Sequence, residues 1–392
     1  MTATPSPDAL EIAQALIRCP SVTPAEAGAL TYLQGVLEAA GFACHRLPFS
    51  EAGTPDVDNL FARIGNGAPH ICFAGHTDVV PPGDEADWSH PPFAAEIADG
   101  VLYGRGASDM KGGVAAFAAA ALAFAADKKD ALPGSISLLI TGDEEGPSIN
   151  GTKKVLDWMA EGEQIPDHSV VGEPTNPEAL GDSIKIGRRG SLYGHITVTG
   201  EQGHSAYPHL AANPIPGLLA VMNAFHAEPL DEGSEHFAPS DLQITSIDTG
   251  NLAPNVIPAR AAARFNVRYN DIHTAERLET LLRKQAEAAL EGNGLHLKFE
   301  VHRSSPSFLT PANDLIDVMQ GAVEEVTGRR PERSTEGGTS DARFIMEHCP
   351  VIEFGLVNTT IHQVDENTSI KDLEDLTKIY NCFIGRYFEA FA

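Results

Sequence analysis

Basic side chains are scarce in this chain of 392 residues: 27 Lys and Arg stand against 54 Asp and Glu, a formal net charge of −27. So acidic a composition repels phosphate backbones and anionic lipid head groups, which argues against nucleic acid and membrane surfaces as partners. Cysteine is scarce as well. Cys19, Cys44, Cys72, Cys349 and Cys382 are widely spaced, odd in number and contain no Cys-x-x-Cys pair. Neither a disulfide framework nor a zinc ribbon is expected, and the thiols read as reduced in a cytoplasmic protein. Long apolar runs are missing: the longest, Val114 to Ala126, falls short of the roughly 20 residues that span a bilayer and reads as a buried helix. Met1 to Pro20 has no basic segment followed by an apolar core, so no secretory signal is expected. What is present is ordinary globular composition, 42% hydrophobic, in a length that suits about two or three domains.

The chain alternates helical and strand-like segments up to about residue 182. Pro7 to Ala40 has helical periodicity, interrupted at Cys19 to Pro24 and ended by Gly41. Ile71 to Ala74 and Ile136 to Ile140 read as buried strands with the alanine-rich helix between them, a βαβ unit that implies a parallel sheet covered by helices. Ligands of such sheets sit beyond the carboxyl ends of the strands. Between residues 183 and 297 the pattern changes to alternating strands, such as His195 to Thr199 and Ala263 to Tyr269, with helical stretches at Ile215 to Ala227 and Thr274 to Leu290. The expected fold is therefore α/β. A domain of residues 1–182 and 298–392 carries a central, mostly parallel sheet flanked by helices, and 183–297 forms an inserted α+β domain with an antiparallel sheet and two helices.

Polar clusters follow the apolar runs. Gly75-His76-Thr77-Asp78 pairs a histidine at a strand end with an acid suited to orient its imidazole, although a surface histidine held by a loop acid fits those residues equally well. The glycine-rich stretch Gly104 to Gly113 has neither Gly-x-Gly-x-x-Gly spacing after a strand nor a Gly-Lys-Ser/Thr ending, so it is read as a tight turn presenting Asp109 to a cation. Asp143-Glu144-Glu145 places three carboxylates together, which self-repel unless cations or shared protons intervene. If the strand geometry persists there, Glu144 and Glu145 point apart, one toward a metal and the other toward a water as general base. A solvated acidic turn is the alternative. Glu173 follows another apolar pair, and His362 lies in Thr360 to Glu366. Jointly, these residues fit a two-metal site of oxygen and nitrogen donors.

At these residues the sequence resembles the di-zinc amidohydrolases related to aminoacylases and carboxypeptidase-like peptidases. Further segments carry the resemblance along nearly the whole chain: Gly187 to Ser191, Gly203 to His209, Asn255 to Pro258, Gly337 to Asp341 and Asn358 to His362. The resemblance implies two Zn²⁺ per subunit, bridged by Asp109, with His76 and Glu173 completing one site and Glu145 and His362 the other. Oxygen and imidazole donors would also accept Co²⁺ or Mn²⁺ in one of them. It further implies that Asp78 orients His76, that Glu144 is the general base, and that the peptide after Asp109 is cis. Arg188, Asn255, Arg268, Thr339 and Asn358 match positions that hold substrate carboxylates. His204 matches a histidine that reaches the neighbouring active site of a homodimer through the inserted domain. The activity implied is hydrolysis of the amide of a small anionic N-acyl amino acid, with a peptidase or a non-catalytic dimeric binding module as the alternatives. Since the net charge opposes an anionic substrate, attraction would have to be local, from the ions, Arg188 and Arg268.

Overall fold

The computed structural model describes residues 7–311 and 313–392, so the first six residues of the segment inspected for a secretory signal lie outside it. The chain divides into two compact units. The first takes the chain as far as Ile186, then Thr310–Ser334 and Ser340–Ala392, and the second takes Gly187–Leu309 with Thr335–Thr339.

An eight-stranded sheet among the described residues organises the first unit. Its strands are β1 (Ala43–Arg46), β2 (Leu60–Gly65), β3 (His70–His76), β4 (Ser135–Thr141), β5 (His168–Val171), β6 (Ser183–Lys185), β7 (Glu332–Ser334) and β8 (Val351–Glu353), in the spatial order β1-β2-β4-β3-β5-β8-β6-β7. The centre is parallel: β3 pairs β4 from His70↔Ser135 to His76↔Thr141, and pairs β5 on its other edge. The edge strands β1 and β2 run antiparallel, as does the single β8–β6 pair. The βαβ expectation holds, with the crossover helix spanning Lys111–Lys128.

That helix is buried on nearly every side, which is why its sequence shows no amphipathic period. Helices Ala9–Ile17 and Ile370–Phe391 pack against it, as does β3. Phe117 stacks on Phe73 of β3 at 4.1 Å between ring centres, with Tyr380 edge-on to Phe73 at 5.6 Å. The helix starts three residues before the apolar run, and Gly112 and Gly113 in that first turn allow close approach: a Cβ at Gly113 would stand 2.6 Å from the Gly172 carbonyl oxygen. The long helical stretch near the amino end appears as Ala9–Ile17 and Ala29–Ala39, the first opened by a capping box of Asp8 and Glu11.

The second unit is an antiparallel four-stranded sheet in the order Asp241–Asp248, Arg260–Tyr269, Gly190–Thr199, His296–Ser305. Alternate residues such as Leu192, Ile196, Val198, Phe265 and Val267 form its core with Leu218, Val221, Leu278 and Leu282 of helices Pro214–Phe225 and Ala275–Ala289. Period two is thus written into strands that bury one face only. Among the described residues, no helix is long and apolar enough to cross a membrane.

Candidate metal centre

Because β3, β4 and β5 are parallel neighbours in register, their carboxyl ends deliver three acidic or imidazole-bearing segments to one place. His76 closes β3 and is buried. Its Nδ1 donates to the Asp78 carbonyl oxygen at 2.8 Å, which turns Nε2 toward Asp109 Oδ1 at 3.2 Å and Glu173 Oε1 at 3.8 Å. The other oxygen of Asp109, Oδ2, lies 3.3 Å from His362 Nε2, and Glu145 Oε1 lies 2.9 Å from the same nitrogen. Asp109 is therefore shared between two donor sets, His76 with Glu173 and His362 with Glu145. Glu144 stands beside the first set: one ligand atom each from His76, Glu144 and Glu173 lie within 4.8 Å of one another.

Asp78 acts differently from the expectation that its carboxylate orients His76. Its main-chain carbonyl holds the ring, while the carboxylate is 3.7 Å from Nδ1 and accepts the amides of Glu144 at 3.3 Å and Glu145 at 3.1 Å. Nor does strand geometry continue beyond Thr141. Glu144 and Glu145 sit in a turn, and that turn sends their side chains to different partners. The Asp109–Met110 peptide is cis, and His362 has φ 59°, in the left-handed region that costs a non-glycine residue roughly 1–3 kcal/mol unless its surroundings hold it.

Electrostatically the site asks for cations. Burial opposes a charged His76, but Asp109, Glu144, Glu173 and Asp78 outweigh it and raise the imidazole well above its ordinary pKa. Asp109 and Glu145 raise His362 to about 10. Asp109 is held below the usual carboxylate range: burial works against the charge, and His362 and His76 overcome it. Burial, and next the Glu173 carboxylate, push Glu144 well above the carboxylate range, and burial lifts Asp78 to about 6. Protons on two histidines thus balance carboxylates that metal ions would balance better, since binding releases those protons. The donor set fits such ions on a second ground. His76 Nε2 and Asp109 Oδ1 are buried without an aligned hydrogen-bond partner, an expensive state for two polar atoms unless something sits between them.

The remaining predicted residues fall into separate groups. Asn358 is in the first unit, its amide donating to the Asn176 carbonyl at 2.9 Å. In the second unit, Arg188 Nη1 donates to the Glu336 carbonyl at 3.3 Å, and a Cβ at Gly337, where φ is 106°, would stand 2.5 Å from that nitrogen. Arg188 is thereby brought against Glu336 and Gly337, in the short segment Thr335–Thr339 that belongs to the same unit. His204 and Asn255 come together on a small exposed ribbon, where Gly203–His204 pairs with Val256–Ile257. Arg268 lies half-buried on its strand, its pKa lowered by burial and by the nearby Arg189.

A family model described as peptidase family M20/M25/M40 matches residues 72–386, which include His76, Asp109, Glu144, Glu145, Glu173 and His362. The chain belongs to this family. Among its M20 relatives, the succinyl-diaminopimelate desuccinylase of Rhodospirillum centenum is 58% identical over 98% of this chain and 98% of its own length. The protein of the same name from Methylorubrum populi is 58% identical over 97% of this chain and 98% of its own. Solved structures share the fold: an M20 family metallo-carboxypeptidase from Sulfolobus solfataricus at TM-score 0.77 and 19% identity, covering 98% of this chain and 100% of that one. A dinuclear metal-binding M20 peptidase from Bacillus subtilis follows at TM-score 0.73 and 16% identity, covering 97% and 98%.

Residues that sequence reasoning passed over in this M20 chain are Arg105 and Glu366, buried beside the centre, and Arg189, whose Nε is buried without a hydrogen-bond partner. Each lies inside a cluster already singled out. The available signal was a charged residue within four positions of a candidate ligand or substrate contact.

Proposed function

We propose that this chain hydrolyses the amide of N-succinyl-LL-2,6-diaminopimelate to succinate and LL-2,6-diaminopimelate, a step of lysine and peptidoglycan-precursor biosynthesis, as a cytoplasmic homodimer with two Zn²⁺ per subunit. The observation that carries the reaction class is Asp109 facing His76 with one oxygen and His362 with the other. The choice of substrate is supported by the similarity to desuccinylases along nearly the whole of both chains.

His76, Asp109 and Glu173 would hold one ion, and Asp109, Glu145 and His362 the other. Bound there, they would lower the pKa of water toward neutrality and polarise the amide carbonyl. Glu144 takes the proton of the attacking water and hands it to the leaving nitrogen. Burial, and next the Glu173 carboxylate, favour its protonated form, which is the form that delivers a proton to the leaving nitrogen. Asp78 fixes the Glu144–Glu145 turn by both amides, so base and ligand keep their divergent directions. His204, exposed on its ribbon, reaches the partner subunit's centre and donates to the oxyanion. Arg188, Asn255, Arg268, Thr339 and Asn358 hold the substrate's carboxylates, and the guanidinium groups supply local attraction against a net charge of −27.

A substrate panel of N-succinyl-diaminopimelate, N-acetylornithine and a dipeptide, run with metal content measured on the same sample, tests this reading. Fastest turnover of the succinyl compound by protein holding two ions per chain is expected. A clear preference for N-acetylornithine overturns the substrate, and undiminished activity in metal-free protein overturns the class.

A further inference from the structure

One ion pair next to the centre belongs to neither donor set. Glu366 and Arg105 are both buried, with Arg105 Nη1 2.7 Å from Glu366 Oε2. The second carboxylate oxygen, Oε1, accepts the amides of Ser108 and Asp109, each at 3.0 Å. Arg105 Nη2 in turn reaches the His362 carbonyl at 3.5 Å, and the Gly104 amide donates to the Glu366 carbonyl at 2.9 Å. Beneath the guanidinium lies the Trp88 ring, 5.2 Å from its centre. The two stretches 104–109 and 362–366 are far apart in sequence, and this pair joins them on both sides.

We propose that Glu366 and Arg105 are positioning residues that set Asp109 and His362 against each other, and so tune the ion held by Asp109, Glu145 and His362. The inference rests on the two-metal reading given above. Stability alone does not explain the pair, because two buried charges are commonly no better than an apolar pair of similar volume. Its geometry explains it. The carboxylate grips the main chain at the bridging ligand itself, and the guanidinium steadies the carbonyl of a histidine held at φ 59°. The pair is also internally neutral, so it orders the ligands without adding to the carboxylate charge already gathered there.

The test is competitive titration of metal-stripped protein with Zn²⁺ against a chromophoric chelator, alongside steady-state kinetics at low and high free Zn²⁺. For Glu366→Gln, one of the two ions should bind 10–100-fold more weakly, the range seen when groups behind metal ligands are lost. The other ion, which shares Asp109 but not His362, should weaken by a smaller factor. At low Zn²⁺ kcat should fall with KM unchanged, and high Zn²⁺ should restore it. Arg105→Lys, which keeps the charge but loses the second nitrogen, should show the same one-ion loss in milder form, and it serves as the reading if Glu366→Gln does not fold. Equal weakening of both ions, or of neither, overturns the positioning role. Fewer than two ions in the unaltered protein would instead overturn the two-metal reading.

Discussion

His70 and His76 open and close the same strand, at 4% and 1% exposure, yet they are treated in opposite ways. His70 shares a 2.7 Å hydrogen bond with Ser137 Oγ, its main-chain amide donates to Asp167, and burial, followed by Arg63, lowers its pKa to about 4, so it stays neutral. His76 meets carboxylates on every side and is drawn into charge despite deeper burial. Burial alone therefore does not set the fate of a histidine. What separates the two ends is that parallel neighbours bring the acids of Asp143 to Glu145 and of Glu173 only to the carboxyl end of the sheet, where the chain leaves its strands.

The contrast can be broken or sharpened by experiment. The largest effect is expected at the carboxyl end: Glu144→Ala should cut kcat by roughly 10²–10⁴-fold while both ions remain bound. A variant keeping most of its kcat would remove Glu144 from the role of base. Next, His76→Asn should cost the chain one of its two ions, whereas His70→Asn should cost none; metal analysis after gel filtration reads both. If His70→Asn also loses metal, the two ends are not independent.

The smallest effect concerns stability. With its folded pKa at about 4, below the ordinary 6.5, His70 stays unprotonated while the unfolded chain takes up a proton. Stability should therefore fall as pH drops below 6.5, by about 1.4 kcal/mol per pH unit at most, and level off near 4. In metal-free protein His76 has the opposite sign: its raised pKa stabilises the fold below pH 6.5, and that contribution is lost as pH rises. Urea midpoints between pH 7 and 5 should show a shallower acid slope for His70→Asn than for the parent. An unchanged slope would mean that His70 is not the group responsible.

Much of this was legible in the sequence because apolar runs and polar ends alternate sharply. Ile71 to Ala74 and Ile136 to Ile140 stand out as strands, and His76, Glu144, Glu145 and Glu173 each follow such a run. The three-residue strands β6, β7 and β8 are too short to show any period, and half-exposed β1 has no apolar run. The second function of Asp78 was hidden for another reason. Whether a carbonyl or a carboxylate holds a ring depends on how the main chain turns, and residue type does not encode that. Arg105 and Glu366 were hidden by distance along the chain, since neither signals its partner locally.

The contact between Gly113 and the Gly172 carbonyl has a consequence for engineering this centre. Asp109 lies just before the helix that contains Gly113, and Glu173 lies just after Gly172, so the gap between these two acids is gauged by how near the helix can rest on the strand end. The nearest atom to such a Cβ is a main-chain oxygen, which cannot swing aside as the end of a side chain can. One methyl group at position 113 would act as a shim, prising the acids apart while leaving every ligand in the sequence. The span that an ion must match is thus written in residues that never touch it.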